Sequence, residues 1–141
     1  MTDTHLLADD ARRLLDELDR DVPGAAQQTG EFRPAIDVFE TTEAAEVLVD
    51  VAGIVPSALR VAIRKNTVLV VGAKLAPPAA PQVRFHLAER SFGAFARAVR
   101  VTGAFDGGRA RAVVANGVLR VVLPRIEDRR GQLRHIPVEV A

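Results

Sequence analysis

The sequence predicts an all-β fold, an antiparallel β-sandwich preceded by a short N-terminal helix and followed by an extended C-terminal tail. Three observations carry this expectation. Apolar residues alternate with a period of two in one segment after another from residue 33 onward. Turn signals separate these segments at short intervals. No helical pattern is interleaved among them, which argues against a parallel α/β sheet.

The first element is the exception. In "THLLADDARRLLDELDR", residues 4–20, Leu7, Ala11, Leu14 and Leu18 follow the 3.6-residue period of an amphipathic helix, and Leu15 broadens the stripe. Asp3 or Thr4 would cap it. The helix is read in two ways with equal weight: docked on the protein's own body, or a partner-binding arm. "DVPGAAQQTGE" follows as a linker rich in small and turn-forming residues.

The period then changes to two. "RPAIDVFET" places Ile36 and Val38 on one face, and "EVLVDVAGI" alternates Val47, Val49 and Val51. "ALRVAIRKN" alternates Leu59, Val61 and Ile63, with Arg60 and Arg64 on the opposite side. "TVLVVGAK" follows a turn at Lys65-Asn66. "FARAVRV" and "RARAVVA" alternate again, and Asp106-Gly107-Gly108 between them marks a turn. "GVLRVVLP" puts Leu119, Val121 and Leu123 on one side. Asn116-Gly117 joins the last two segments, and both residue types accept the positive φ of a tight hairpin. The organisation is therefore an N-terminal helical arm and linker (1–32), a sandwich (33–126) and a C-terminal extension (127–141).

Two stretches break the rhythm. "KLAPPAAPQVRFHLAER" is a long connection stiffened by prolines, and "VRFHL" within it has strand character. Such an arm can reach another subunit. The chain ends on "RHIPVEVA", where Ile136 and Val138 point the same way in an extended chain. Pro137 between them bars the segment from the middle of a sheet. This tail has the character of a plug for an apolar socket.

Composition narrows function. Apolar residues make up 48% of the 141 residues, enough for a sizeable core. The 19 basic and 18 acidic residues nearly cancel, which argues against a dedicated nucleic-acid or anionic-membrane binder. Cysteine is absent, so disulfides, thiolate metal sites and cysteine nucleophiles are excluded. The N-terminus lacks the pattern of a signal peptide, and no stretch is apolar enough to span a bilayer, so cytoplasmic residence is expected. His5, His86 and His135 are scattered without metal-ligand spacing. Gly72-Ala73-Lys74 lacks the rest of a phosphate loop, and Ser91 has no nucleophile-elbow pattern around it. No catalytic residue, no metal and no cofactor is expected, and the chain is not read as an enzyme.

The segments "ERSFGAFARAVRV" and "ARAVVANGVLRVVLPR" carry a family likeness. Glu89, Arg90, Gly93, Phe95 and Arg97, then Ala112, Asn116, Gly117, Val118 and Leu119, then Leu123, Pro124 and Arg125 stand in the order and spacing of the small heat-shock proteins. The chain resembles this alpha-crystallin domain family over roughly residues 33–141. "PAIDVFETTEAAEVLVDVAGI" is similar to the family's opening strands, and "IPV" to its Ile-x-Ile/Val tail motif. Two positions depart from the family pattern. Val51-Ala52-Gly53 stands for Leu-Pro-Gly, and Val101-Thr102 for Leu-Pro.

The resemblance implies an immunoglobulin-like sandwich, a homodimer as building block, a larger homo-oligomer, and ATP-independent holding of unfolding client proteins. It implies that Arg84, Phe85, His86 and Leu87 on the long loop pair near Ile36 and Val38 of a second subunit, with Glu89 and Arg97 as charge contacts. It also implies that Ile136, Pro137 and Val138 dock on a neighbouring dimer. The groove would be lined by Leu59, Val61 and Ile63 on one strand and by Ala112 and Val114 on another. Val138 and Val140 offer a second register, and a tail folded onto its own subunit is the competing arrangement. Client contact is assigned to the groove and to Leu7, Leu14 and Leu18. The alternative is a non-chaperone sandwich adaptor or structural dimer recruited to a defined protein partner.

Overall fold

Each period-two segment becomes a strand. The computed structural model describes residues 3–28, 30–126 and 133–141; the side chains of residues 3–6, 133 and 134 lie outside that description, and with them the expected caps Asp3 and Thr4. Helix α1 spans Asp3–Asp21. Seven strands follow: β1 (Ile36–Glu40), β2 (Ala44–Asp50), β3 (Leu59–Arg64), β4 (Thr67–Lys74), β5 (Gly93–Arg100), β6 (Arg111–Ala115) and β7 (Val118–Pro124). The tail adds β8 (Leu133–Ile136) and β9 (Val138–Val140). The first strand begins three residues later than the sequence pattern, because Pro34 has no N–H to offer a ladder.

The strands form two sheets, a β-sandwich with one N-terminal helix and an extended tail. The five-stranded sheet runs β1-β2-β7-β6-β9, and the four-stranded sheet runs β5-β4-β3-β8. Every pairing is antiparallel except that of β9 on β6. The inner faces supply the core in the alternation that the sequence shows. Val47, Val49, Leu119, Val121 and Leu123 from one sheet meet Leu59, Val61, Ile63, Val68, Val70 and Phe95 from the other, all buried.

Asn116-Gly117 makes the β6–β7 hairpin with φ of 54° and 77°, as its composition demands. Gly72 has a different reason. It lies opposite Phe95 in the ladder, and a Cβ there would stand 2.8 Å from the Phe95 ring and 2.7 Å from the Ala58 carbonyl oxygen. The glycine lets the Phe95 ring approach the backbone closely. Residues 75–92 contain no strand within the chain, and residues 76–91 are exposed throughout.

β4 is apolar on both faces. Val68 and Val70 face the sandwich interior, while Leu69 and Val71 face outward and are equally buried. Helix α1 covers them. Leu14 packs with Ala62, Leu69 and Val71, and Leu18 reaches the main core. Of the two readings of the helix, docking on the protein's own body is the observed one. Burying Leu14 and Leu18 stabilises the docked helix by about 1.5–3 kcal/mol each. Most helical stability in proteins comes from packing of an amphipathic face, and these contacts supply it here.

Candidate functional site

The tail closes one margin of the sandwich. β8 adds antiparallel to β3, with Ile136 opposite Val61 and His135 opposite Ala62. The chain turns at the exposed Pro137 and crosses to the other sheet. There β9 runs parallel to β6, with Val138 opposite Ala112 and Val140 opposite Val114. The Ala141 N–H donates to the Val114 carbonyl at 3.0 Å and anchors the end. Ile136 is 7% exposed and belongs to the main core cluster, whereas Val140 stays largely in solvent. Of the residues expected to line a groove for a neighbouring dimer's tail, Val61 and Ile63 pair with β8 of the same chain, Ala112 and Val114 pair with its β9, and Leu59 lines the mouth. The two expected registers are used in series rather than as alternatives. Ile136 faces β3 and Val138–Val140 face β6 of the same chain.

The period-two geometry explains the arrangement. Without the tail β3 and β6 would end their sheets, and β8 and β9 meet the backbone N–H and C=O groups that those two edges present to an extended peptide. Pro137 falls where no ladder bond is needed, between the two added strands. The mouth of the groove is lined by Pro56, Leu59, Arg60, Val61, Ile136, Pro137 and Val138, together with Glu17 and His135. Glu17 of α1 approaches His135 of the tail at 3.7 Å, so helix and tail touch.

The opposite margin is open. β1 and β5 end their sheets, and neither has a further strand among the described residues. Val38 is 43% exposed at this edge, and Ile36 is half-buried. The loop residues Phe85 and Leu87 are 77% and 74% exposed, a large apolar display for a chain with six phenylalanines. Arg84, His86 and Glu89 on the same loop are exposed too. Arg97 on β5 donates from Nη1 to the Pro34 carbonyl at 2.6 Å. Burial, and then the charge of Arg33, lower its pKa from the usual guanidinium value. Both effects disfavour the charged form of the guanidinium.

The helical residues assigned to client contact are split. Leu7 is half-buried, and Leu14 and Leu18 are fully buried beneath the helix. Sequence reasoning missed the polar clasp around them. Asp10 is 1% exposed and accepts two parallel bonds from Arg64, Nε to Oδ2 at 2.8 Å and Nη2 to Oδ1 at 3.1 Å. Asp21 at the other end of α1 pairs with Arg60 of the same strand. The signal was present. Asp10 stands four residues before Leu14 on the apolar stripe, and Arg60 and Arg64 flank Ala62 on the outer face of β3. A third pair, Arg120 and Glu46, links β7 to β2 on the outer face of the five-stranded sheet at 2.6 Å. The hydrogen bond to Glu46, aided by its charge, raises the Arg120 pKa.

Among the described residues no group of three or more His, Asp or Glu side chains is placed to hold a metal ion. No described helix is long and apolar enough to cross a membrane.

Comparison with known proteins agrees with this geometry. The model of the Hsp20/alpha crystallin family matches residues 37–139. Spore protein SP21 of Stigmatella aurantiaca is 36% identical over 94 residues, covering 67% of this chain, which spans only 56% of that protein's length. The 16.9 kDa class I heat shock protein 1 of Triticum aestivum is 29% identical over 119 residues, covering 83% of this chain and 79% of its own length. Among solved structures, heat shock protein 16.0 from Schizosaccharomyces pombe superposes with a TM-score of 0.66 at 26% identity, over 72% of this chain and 94% of that one. The hspA structure from Xanthomonas axonopodis gives 0.62 at 26% identity, over 69% and 97%. The sandwich, its tail motif and the matched span together make the chain a member of the Hsp20/alpha crystallin family of small heat-shock proteins.

Proposed function

We propose that the chain is an ATP-independent holdase, which covers exposed apolar surface on unfolding proteins and keeps them from aggregating. Membership in a heat-shock family supports a chaperone role. The observation that carries the finer reading is the apolar slot between β3 and β6, into which a short extended segment fits with Ile136 buried. A slot that accepts one extended apolar peptide accepts others of similar pattern.

The working unit is a homodimer. Residues 84–87 of one subunit add to the free edge of β1 in the other, covering Val38 and burying Phe85 or Leu87. The exposure of these side chains and the open β1 edge support this. Glu89 of one subunit then meets Arg97 of the other as a charge contact. Tails exchange between their own groove and that of a neighbouring dimer, building a larger homo-oligomer. Each tail link is weak, and several together persist through high effective concentration while still exchanging. The compartment is cytoplasmic.

The test is light scattering from a heat-aggregating client at equal subunit ratio. Suppression is expected without nucleotide, and an unchanged scattering curve would overturn the reading. A second reading, an adaptor or structural dimer for a defined partner, is favoured by one observation: both the groove and the Leu14–Leu18 stripe are filled within the chain. A stoichiometric complex with no effect on client aggregation is its signature.

A further inference from the structure

The long loop between β4 and β5 leaves the sandwich at Lys74, the last residue of β4, and returns at Arg90, three residues before β5 begins. Its two roots are held on aromatic faces. Lys74 Nζ lies 5.1 Å from the centroid of the Phe32 ring and 5.6 Å from that of Phe92. The Arg90 guanidinium carbon lies 5.1 Å from the Phe92 centroid. Both cations also converge on Gly53. A Cβ on that residue would stand 3.8 Å from Lys74 Nζ and 3.9 Å from Arg90 Nη2. Gly53 has a φ of 82° and is exposed, so the point where the two nitrogens meet carries no side chain and opens to solvent.

We propose that this point is an oxyanion site and that its ligand is a phosphate dianion, free or as the terminal group of a small phosphate ester. The site stands apart from the groove and does not rest on the holdase reading. It is not a phosphate loop. Gly72-Ala73-Lys74 offers no glycine-rich cradle, and the anion meets side-chain cations instead.

Unbalanced charge selects the ligand. Among the described residues Arg60, Arg120 and Arg125 each meet a carboxylate, whereas Lys74 and Arg90 meet only rings. Glu31 and Glu89, the acids beside Phe32 and Arg90 in the chain, pair with neither cation. A ring face orients a cation without cancelling its charge, so two like charges are held side by side at a cost that a dianion between them removes. A single carboxylate offsets one of the two. The Arg90 guanidinium offers a planar fork that matches two phosphate oxygens, and the Lys74 ammonium is a point charge that meets a third. Bound phosphate ties the two roots of the loop together, which narrows the directions in which Phe85 and Leu87 are presented.

The test is a titration of the full chain with inorganic phosphate at constant ionic strength, followed through the amide resonances of Gly53 and Lys74. Saturable shifts are expected. Lys74→Gln and Arg90→Gln are each expected to weaken binding at least fivefold. Arg109→Gln, which removes an exposed cation from the turn before β6, is expected to leave it unchanged. Acetate at the same ionic strength is expected to bind at least tenfold more weakly than phosphate. Shifts that grow linearly without saturating overturn the site, as does equal affinity in the glutamine variants and the unaltered chain. Acetate binding as tightly as phosphate overturns the assignment of a dianion. Should one glutamine variant fail to fold, the other decides alone.

Discussion

Ile136 sits directly opposite Val61, and this contact seats the tail motif on the margin of its own sandwich. It is the most deeply buried of the described tail side chains, while its neighbour Pro137 is exposed. The pairing ties the tail motif to β3 in the register that the alternation of Leu59, Val61 and Ile63 sets.

Ile136→Ala removes most of that buried side chain. The expected loss is about 2 kcal/mol for tail docking. Amide exchange at Val61 and Ile63 accelerates as β8 detaches, and with Val138→Ala added the native mass falls to the dimer. An unchanged mass in the double variant places the tail's role within the subunit.

Gly72→Ala drives a methyl group into the Phe95 ring and the Ala58 carbonyl. Destabilisation of about 1–3 kcal/mol is expected from such overpacking. Thermal denaturation reads it, and adding Phe95→Leu recovers part of the loss by vacating the space.

Gly117→Ala forces a methyl-bearing residue to φ near 77° and brings it within 3.2 Å of the Ala52 Cβ. The left-handed conformation alone costs about 1–2 kcal/mol. Asn116→Gly keeps the turn and is expected to melt close to the unaltered protein.

Asp10→Ala removes the buried carboxylate through which the helix meets Arg64. Loss of about 3 kcal/mol is expected, the low end for a broken buried pair because Arg64 still reaches water. Replacing both, Asp10→Leu with Arg64→Met, restores thermal stability to the original level or above. A double variant as unstable as the single one would show that the pair's geometry, not its charge, holds the helix.

Arg97→Ala tests the open margin. Dimer dissociation on dilution, followed by sedimentation, is expected to become at least tenfold easier, equivalent to about 1.4 kcal/mol. A lowered melting temperature with an unchanged dissociation constant would confine Arg97 to holding the Pro34 carbonyl.

The strands were legible because a half-buried strand writes its burial as period two. Val47-Val49-Val51 and Leu119-Val121-Leu123 could face only one way. The tail and its groove were legible for the same reason, since Ile136 and Val138 are an apolar pair with no sheet of their own around them. The seat of the helix was harder to read. Its signal lies in "TVLVVGAK", where Leu69 and Val71 fill the positions that a solvent-facing strand would make polar. A strand apolar on both sides must be covered on both, and the chain offers one candidate cover, the Leu14–Leu18 stripe. Asp10 stayed hidden because a carboxylate on an apolar stripe reads as an interruption until its arginine, 54 residues away, is known.

The crossing at Pro137 makes the two flanks of the sandwich unlike. One flank is stitched shut by a thread that belongs to the same body, and the other lies bare. Under the proposed exchange, a thread that mends its own seam competes with every foreign one, so a dilute population would terminate itself while a crowded one knits together, and growth would follow concentration.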